Sequence, residues 1–69
     1  MQIEQIDSLY YQGNALYYSE KFDEAIKNYD KIIEINPDSK IAWGYKGHIL
    51  SKLKKYEEAF ACYQKALKC

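Results

Sequence analysis

The stretches Gly13–Tyr29, GNALYYSEKFDEAIKNY, and Gly47–Tyr63, GHILSKLKKYEEAFACY, begin and end alike and lie 34 residues apart. Aligned, they pair Gly13 with Gly47, Leu16 with Leu50, Lys21 with Lys55, Glu24 with Glu58, Ala25 with Ala59 and Tyr29 with Tyr63. Outside them the same offset pairs Tyr11 with Tyr45 and Lys31 with Lys65, giving eight identities among 35 pairs, more than chance supplies. Leu9 with Trp43, Phe22 with Tyr56, Asp23 with Glu57 and Ile33 with Leu67 are near matches at that offset. A unit recurring at fixed spacing folds as one supersecondary element that buries its apolar side against its neighbour. The 69 residues therefore divide into one repeat over about 6–39 and a second over about 40–69, short of its last few residues, within a single small domain.

Each repeat has helical periodicity. Ile6, Leu9, Gly13 and Leu16 recur at steps of three and four, as do Phe22, Ala25, Ile26, Tyr29 and Ile33. Trp43, Gly47, Leu50, then Tyr56, Ala59, Phe60, Tyr63 and Leu67 repeat the pattern. Pro37 disfavours a helical Asn36 and closes the second helix there, after which Asp38 and Ser39 offer capping oxygens. Acids after Phe22 and Tyr56 suit the positive end of the next helix. The spacing predicts an all-α chain of helices at about 4–19, 23–35, 39–53 and 57–68. Glycine inside a helix costs about 1 kcal/mol relative to alanine, so Gly13 facing Ala25 and Gly47 facing Ala59 are read as sites of close helix approach. Tyr29 and Tyr63 become wedges, Tyr29 reaching the next repeat near Trp43.

These residues resemble a pair of tetratricopeptide repeats, helix–turn–helix units with the pattern W-x2-L-G-x2-Y, A-x3-F, P. Trp43, Gly47, Ala59 and Tyr63 carry the match in the second repeat, and Gly13, Ala25, Tyr29 and Pro37 in the first. Leu9 replaces the aromatic, Leu16 and Leu50 the tyrosine, and Gln12 and Lys46 stand where the pattern has leucine. The resemblance implies an α–α superhelix fragment in which the first helix of each repeat lines a groove for a partner peptide. Carried over by position, that groove presents Tyr10, Asn14, Tyr17 and Tyr18, then Ile41, Gly44, His48, Ser51 and Lys52, flanked by Tyr11 and Tyr45. Some members clamp the acidic C-terminus of a heat-shock chaperone. Asn14 fits one clamp position, but Tyr10 and Tyr45 stand where a lysine and an asparagine are expected, and the third repeat of the clamp is not in this sequence.

Composition narrows the function classes. Ten lysines balance ten acids, so no general grip on nucleic acid or anionic membrane is implied. The balance is uneven along the chain: residues 1–38 hold eight acids and three lysines, a charge of −5, and residues 39–69 hold seven lysines and two acids, +5. The start MQIEQIDSLYYQG lacks the basic head and apolar core of a signal peptide, and no run of about 18 apolar residues could span a membrane. A soluble protein in the reducing cytoplasm is expected. On one helix Cys62 and Cys69 would lie about 10 Å apart, too far for a disulfide.

Eight tyrosines are many for this length. Tyrosine joins a rigid apolar face to a hydroxyl and is enriched where partners bind, although Tyr10, Tyr11, Tyr17 and Tyr18 could equally pack the first hairpin. Stacking of single-stranded nucleic acid on them is opposed by the acidic first repeat. His48, the single histidine, has no Cys, Asp or Glu at ligand spacing, so a metal site lacks partners and a solvated or hydrogen-bonded role is expected. Ser8, Ser19, Ser39 and Ser51 lack a base, and no glycine loop cradles phosphate. No enzyme activity and no cofactor are expected. Lys52, Lys54 and Lys55 favour the negative end of their helix and need no ligand.

Repeat arrays usually hold about three units, because each hairpin covers one side of its neighbour. Phe60, Tyr63 and Leu67 are the counterparts of Ile26, Tyr29 and Ile33 and should form an assembly face. Either the chain is an excerpt of a longer array, or copies associate through this face as a homo-oligomer.

Overall fold

Both hairpins turn by the same backbone device. The Lys21 amide donates to the Leu16 carbonyl at 2.8 Å and that of Glu20 to Tyr17 at 2.9 Å; the second repeat has Lys55 to Leu50 at 2.8 Å and Lys54 to Ser51 at 3.0 Å. These bonds satisfy the last carbonyls of a helix when the chain turns left-handed just beyond it. Glu20 and Lys54, 34 residues apart, take that conformation with φ of 63° and 64°. The carbonyls of Lys21 and Lys55 then accept the amides of Ala25 and Ala59, at 3.0 and 2.9 Å, and open the next helix. Lys21 gives no side-chain cap, and Asp23 with Glu24 places negative charge in that first turn instead, as Glu57 and Glu58 do in the second repeat.

The computed structural model describes residues 2–68, with side chains from residue 5 onward. Four helices result: α1 (Gln2–Tyr18), α2 (Phe22–Ile35), α3 (Lys40–Lys52) and α4 (Tyr56–Lys68). Their ends fall within two residues of those the sequence predicts. Between α2 and α3, Asn36 is extended at φ −138° and its side-chain oxygen accepts the Asp38 amide at 3.2 Å. Of the two expected caps it is Ser39 that acts, its hydroxyl accepting the Ala42 amide at 3.3 Å. Trp43 Nε1 donates to the Pro37 carbonyl at 2.8 Å and fastens this turn to α3.

Helix α1 packs on α2, α3 on α4, and α2 on α3 joins the hairpins. The Cα trace is a slab of 34 × 29 × 13 Å, in which α2 and α3 each pack between two neighbours and α1 and α4 each against one. Ala25, Tyr29, Ile32, Ala42 and Ile49 form a fully buried core, and Leu50, Ala59 and Cys62 a second cluster roofed by Ile26 and Trp43. Tyr29 is the wedge the sequence predicts, but its ring reaches α3 at Tyr45, with centroids 5.3 Å apart and planes 13° from parallel. Trp43 lies elsewhere, on the second cluster, with the Lys46 and Lys65 ammonium groups 5.7 and 5.9 Å from its ring. The two substitutions at the pattern's leucine positions make polar contacts with α2. Gln12 accepts from Asn28 at 3.2 Å and Lys46 pairs with Asp30 at 2.6 Å, a half-exposed ion pair of small net worth.

Gly47 sits where it was expected, since a Cβ there would lie 3.2 Å from the Ala59 carbonyl and 3.1 Å from the Tyr63 ring. Gly13 differs from expectation: its nearest neighbour is the Tyr29 ring, 2.9 Å from an added Cβ, and not Ala25. A large buried ring fills the space left by the missing side chain. Gly44, on the same helix as Gly47, has nothing within 4 Å of an added Cβ. Gly13→Ala should therefore lower stability by up to about 2 kcal/mol, an overpacking loss of about 1–3 kcal/mol offset by a helix-propensity gain of about 1 kcal/mol. Gly44→Ala keeps the gain alone and should raise stability by up to about 1 kcal/mol. Urea unfolding of the two variants reads both signs.

Candidate functional site

Of the α1 and α3 residues expected to face a partner, Tyr10, Asn14, Tyr17, Tyr18, Tyr45 and His48 make aromatic or hydrogen-bonded contacts with one another or with Tyr29. Nearest the core, the Tyr29 hydroxyl donates to Asn14 Oδ1 at 2.7 Å, so Asn14 is fixed from beneath with its amide nitrogen left to donate. Tyr10 is half-buried, its ring 6.1 Å from Tyr29 and 6.4 Å from Tyr45, its hydroxyl 2.8 Å from that of Ser39. Both side chains therefore also hold the fold together.

The second link crosses between the repeats. The Tyr17 hydroxyl lies 2.8 Å from His48 Nε2 and their rings 5.6 Å apart, so the exposed His48 is hydrogen-bonded across the repeats. Tyr17 also packs on Phe22 at 5.8 Å and meets the exposed Tyr18 edge-on at 5.2 Å. Ile41, Gly44, Tyr45, His48 and Tyr63 line an open concavity of about 480 Å³ with no lysine or acid in its wall. Ile41 and His48 are thus brought together, and Tyr17 joins them through His48. Ser51, half-buried, and Lys52, exposed, lie further along α3 outside that wall.

Two residues have a larger part here than their positions in the sequence indicate. Tyr45, a flank of the groove by position, stacks on Tyr29 and lines the concavity, and its recurrence with Tyr11 at the 34-residue offset is the signal for it. Tyr63, read as part of the assembly face, also lines it. Other hollows differ in character: one of about 600 Å³ on the α2–α4 side is ringed by Asp23, Asp30 and Glu58 and by Lys27, Lys46 and Lys55. Another, of about 460 Å³ between α1 and α2, carries Lys31 and Glu34.

Burial pushes the Tyr29 phenol up to about 12, with further upward pushes from Tyr45 and Tyr10. Burial also raises the Cys62 thiol, which is free and accordingly a weak nucleophile at neutral pH. The Cys62–Cys69 separation falls outside the described residues. Among those residues no three His, Cys, Asp or Glu side chains group for a metal, and no helix is long and apolar enough to cross a membrane.

A raised phenol pKa means that the fold favours neutral Tyr29. Its contribution is complete below the ordinary phenol value and is lost as pH climbs toward about 12. Alkaline titration should cost on the order of 2 kcal/mol in that window. Tyr29→Phe should be about 1 kcal/mol less stable at neutral pH, having lost the bond to Asn14, and should show a shallower alkaline decline. Denaturation at stepped pH separates the two effects.

The family model for the tetratricopeptide repeat matches residues 6–39 and 41–69. The chain is similar to the Hsp70-Hsp90 organising protein of Plasmodium falciparum, at 38% identity over 48 residues, covering 70% of this chain and 8% of that protein. It is similar to the STIP1 homolog of Dictyostelium discoideum, at 34% over 55 residues, covering 80% and 10%. Hsc70-interacting protein 1 of Drosophila melanogaster gives 39% over 54 residues, covering 78% and 14%. The chain thus spans about a tenth of the length of these relatives. Family and relatives together support a protein–protein interaction module. With the four-helix, twice-repeated architecture, they establish that the chain belongs to the tetratricopeptide repeat family.

Proposed function

We propose that this interaction module, in a reducing cytoplasmic setting, holds a short peptide of a partner protein on the face formed by α1 and α3, without catalysis. The observation that carries this reading is the uncharged, aromatic concavity of Ile41, Tyr45, His48 and Tyr63, tied to Tyr17 and Tyr18 by the Tyr17–His48 hydrogen bond. Rigid tyrosines lose little entropy on binding and combine apolar contact with hydroxyl groups. Asn14 holds its amide nitrogen ready at one end, and Ser51 and Lys52 extend the polar rim at the other. The peptide class that fits is one with an apolar or aromatic anchor and backbone polar groups along its length.

The relatives' names point to heat-shock chaperones as partners of those proteins. On this chain an acidic chaperone tail is the poorer fit. Tyr10 and Tyr45 occupy two clamp positions, both are engaged with Tyr29, and Lys52 is the one cation among the proposed contacts. Burial of an apolar anchor, at roughly 25 cal/mol per Å², is the larger favourable contribution available.

A peptide-library screen against the chain should return sequences with an apolar or aromatic anchor. Ile41→Ala and Tyr18→Ala, both at exposed side chains, should each weaken those hits at least about tenfold, which corresponds to about 1.4 kcal/mol. Hits that persist at full affinity in both variants, or a screen dominated by acidic C-terminal tails, would contradict the reading.

A further inference from the structure

The α2–α3 contact is the place where one repeat meets the next, and the sequence contains each half of it twice. Its α2 half is Ile26, Tyr29, Asp30 and Ile33; moved on by 34 residues these become Phe60, Tyr63, Gln64 and Leu67 on α4. Its α3 half is Ala42, Tyr45, Lys46 and Ile49; moved back by 34 these become Ser8, Tyr11, Gln12 and Ala15 on α1. The inner set is closed, with Tyr29, Ala42 and Ile49 fully buried. The outer set faces solvent: Tyr11 is 77% exposed, Phe60 63%, Tyr63 38% and Leu67 79%.

We propose that the chain docks a second copy of itself head to tail, the outer face of α4 on the outer face of α1, with Tyr63 stacking on Tyr11 as Tyr29 stacks on Tyr45. Both partners of the central stack are tyrosine at the inner and the outer contact. The ion pair of Asp30 with Lys46 has Gln64 and Gln12 as its counterpart, two amides that can hydrogen-bond to each other without stranding a charge. Side-chain sizes compensate: Phe60 and Leu67 are at least as large as Ile26 and Ile33, while Ser8 is about as small as Ala42 and Ala15 smaller than Ile49.

The repeat itself selects the second copy, since the outer face of α1 presents at the 34-residue offset the tyrosine with which α3 meets α2. Charge acts only at longer range: α4 is neutral, with Glu57 and Glu58 against Lys65 and Lys68, but the half that includes it carries +5 and the half that offers α1 carries −5, which favours head-to-tail approach. Two different surfaces meet in such a contact. It does not close on itself as a twofold dimer does and instead extends into an open row. Tyr63 belongs both to this contact and to the concavity between α3 and α4, whereas Tyr11, Phe60 and Leu67 do not line that concavity and report on this contact.

The test is molar mass by light scattering from micromolar to millimolar chain, with two blocked variants. Tyr11→Lys blocks the α1 face, and Phe60→Lys with Leu67→Lys blocks the α4 face, all at exposed positions. The unmodified chain should grow past dimer, more weakly in high salt. Each blocked variant alone should stay monomeric. Their equimolar mixture should double in mass and stop, because only the two unblocked faces remain to pair. Such pairing also demonstrates that both variants are folded. An unmodified chain that stays monomeric throughout, a blocked variant that still associates alone, or a mixture that does not pair would each overturn the proposal.

Discussion

The arrangement of this chain depends on one buried ring. Tyr29 leaves α2 into the space that Gly13 opens in α1, lies flat on Tyr45 of α3, and bonds through its hydroxyl to Asn14. It touches both helices that carry the candidate binding face, so hairpin closure, the inter-repeat angle and the position of the surface tyrosines share one physical cause. A phenol at this depth is tolerated because its one polar group has a partner. The second repeat carries the same tyrosine against Gly47, where Tyr63 is partly exposed.

Much of the fold was legible because the repeat makes every signal appear twice. The turn at Glu20 and Lys54, the acids that follow, and the glycine–alanine phase all recur, so local preference and packing agree. Less was legible where a contact depends on which way a long side chain leans. Gly13 could be placed opposite Ala25 by phase alone, yet the ring of Tyr29, four residues further along α2, fills the gap. Tyr29 could be aimed at the next repeat, but not toward Tyr45 in preference to Trp43, because the Pro37 carbonyl draws the indole away. The candidate site shows the same division. Ile41, His48 and Tyr17 could be listed by position, whereas the Tyr17–His48 bond and the two roles of Tyr45 are three-dimensional facts.

The departures from the family pattern also have a physical reading. Gln12 and Lys46, at leucine positions, find Asn28 and Asp30 across the helix pairs, so the contacts between elements are kept with polar chemistry at the rim. Tyr10 and Tyr45 place aromatic rings, both packed against Tyr29, where the clamp pattern has a lysine and an asparagine.

The central claim is that the Tyr29–Tyr45 stack couples the two hairpins. A double-mutant cycle in urea unfolding, with Tyr29→Leu, Tyr45→Ala and the pair, measures that coupling directly. The stack predicts an interaction free energy of about 0.5–1.5 kcal/mol between the sites. Losses that simply add, leaving a coupling indistinguishable from zero, would contradict it.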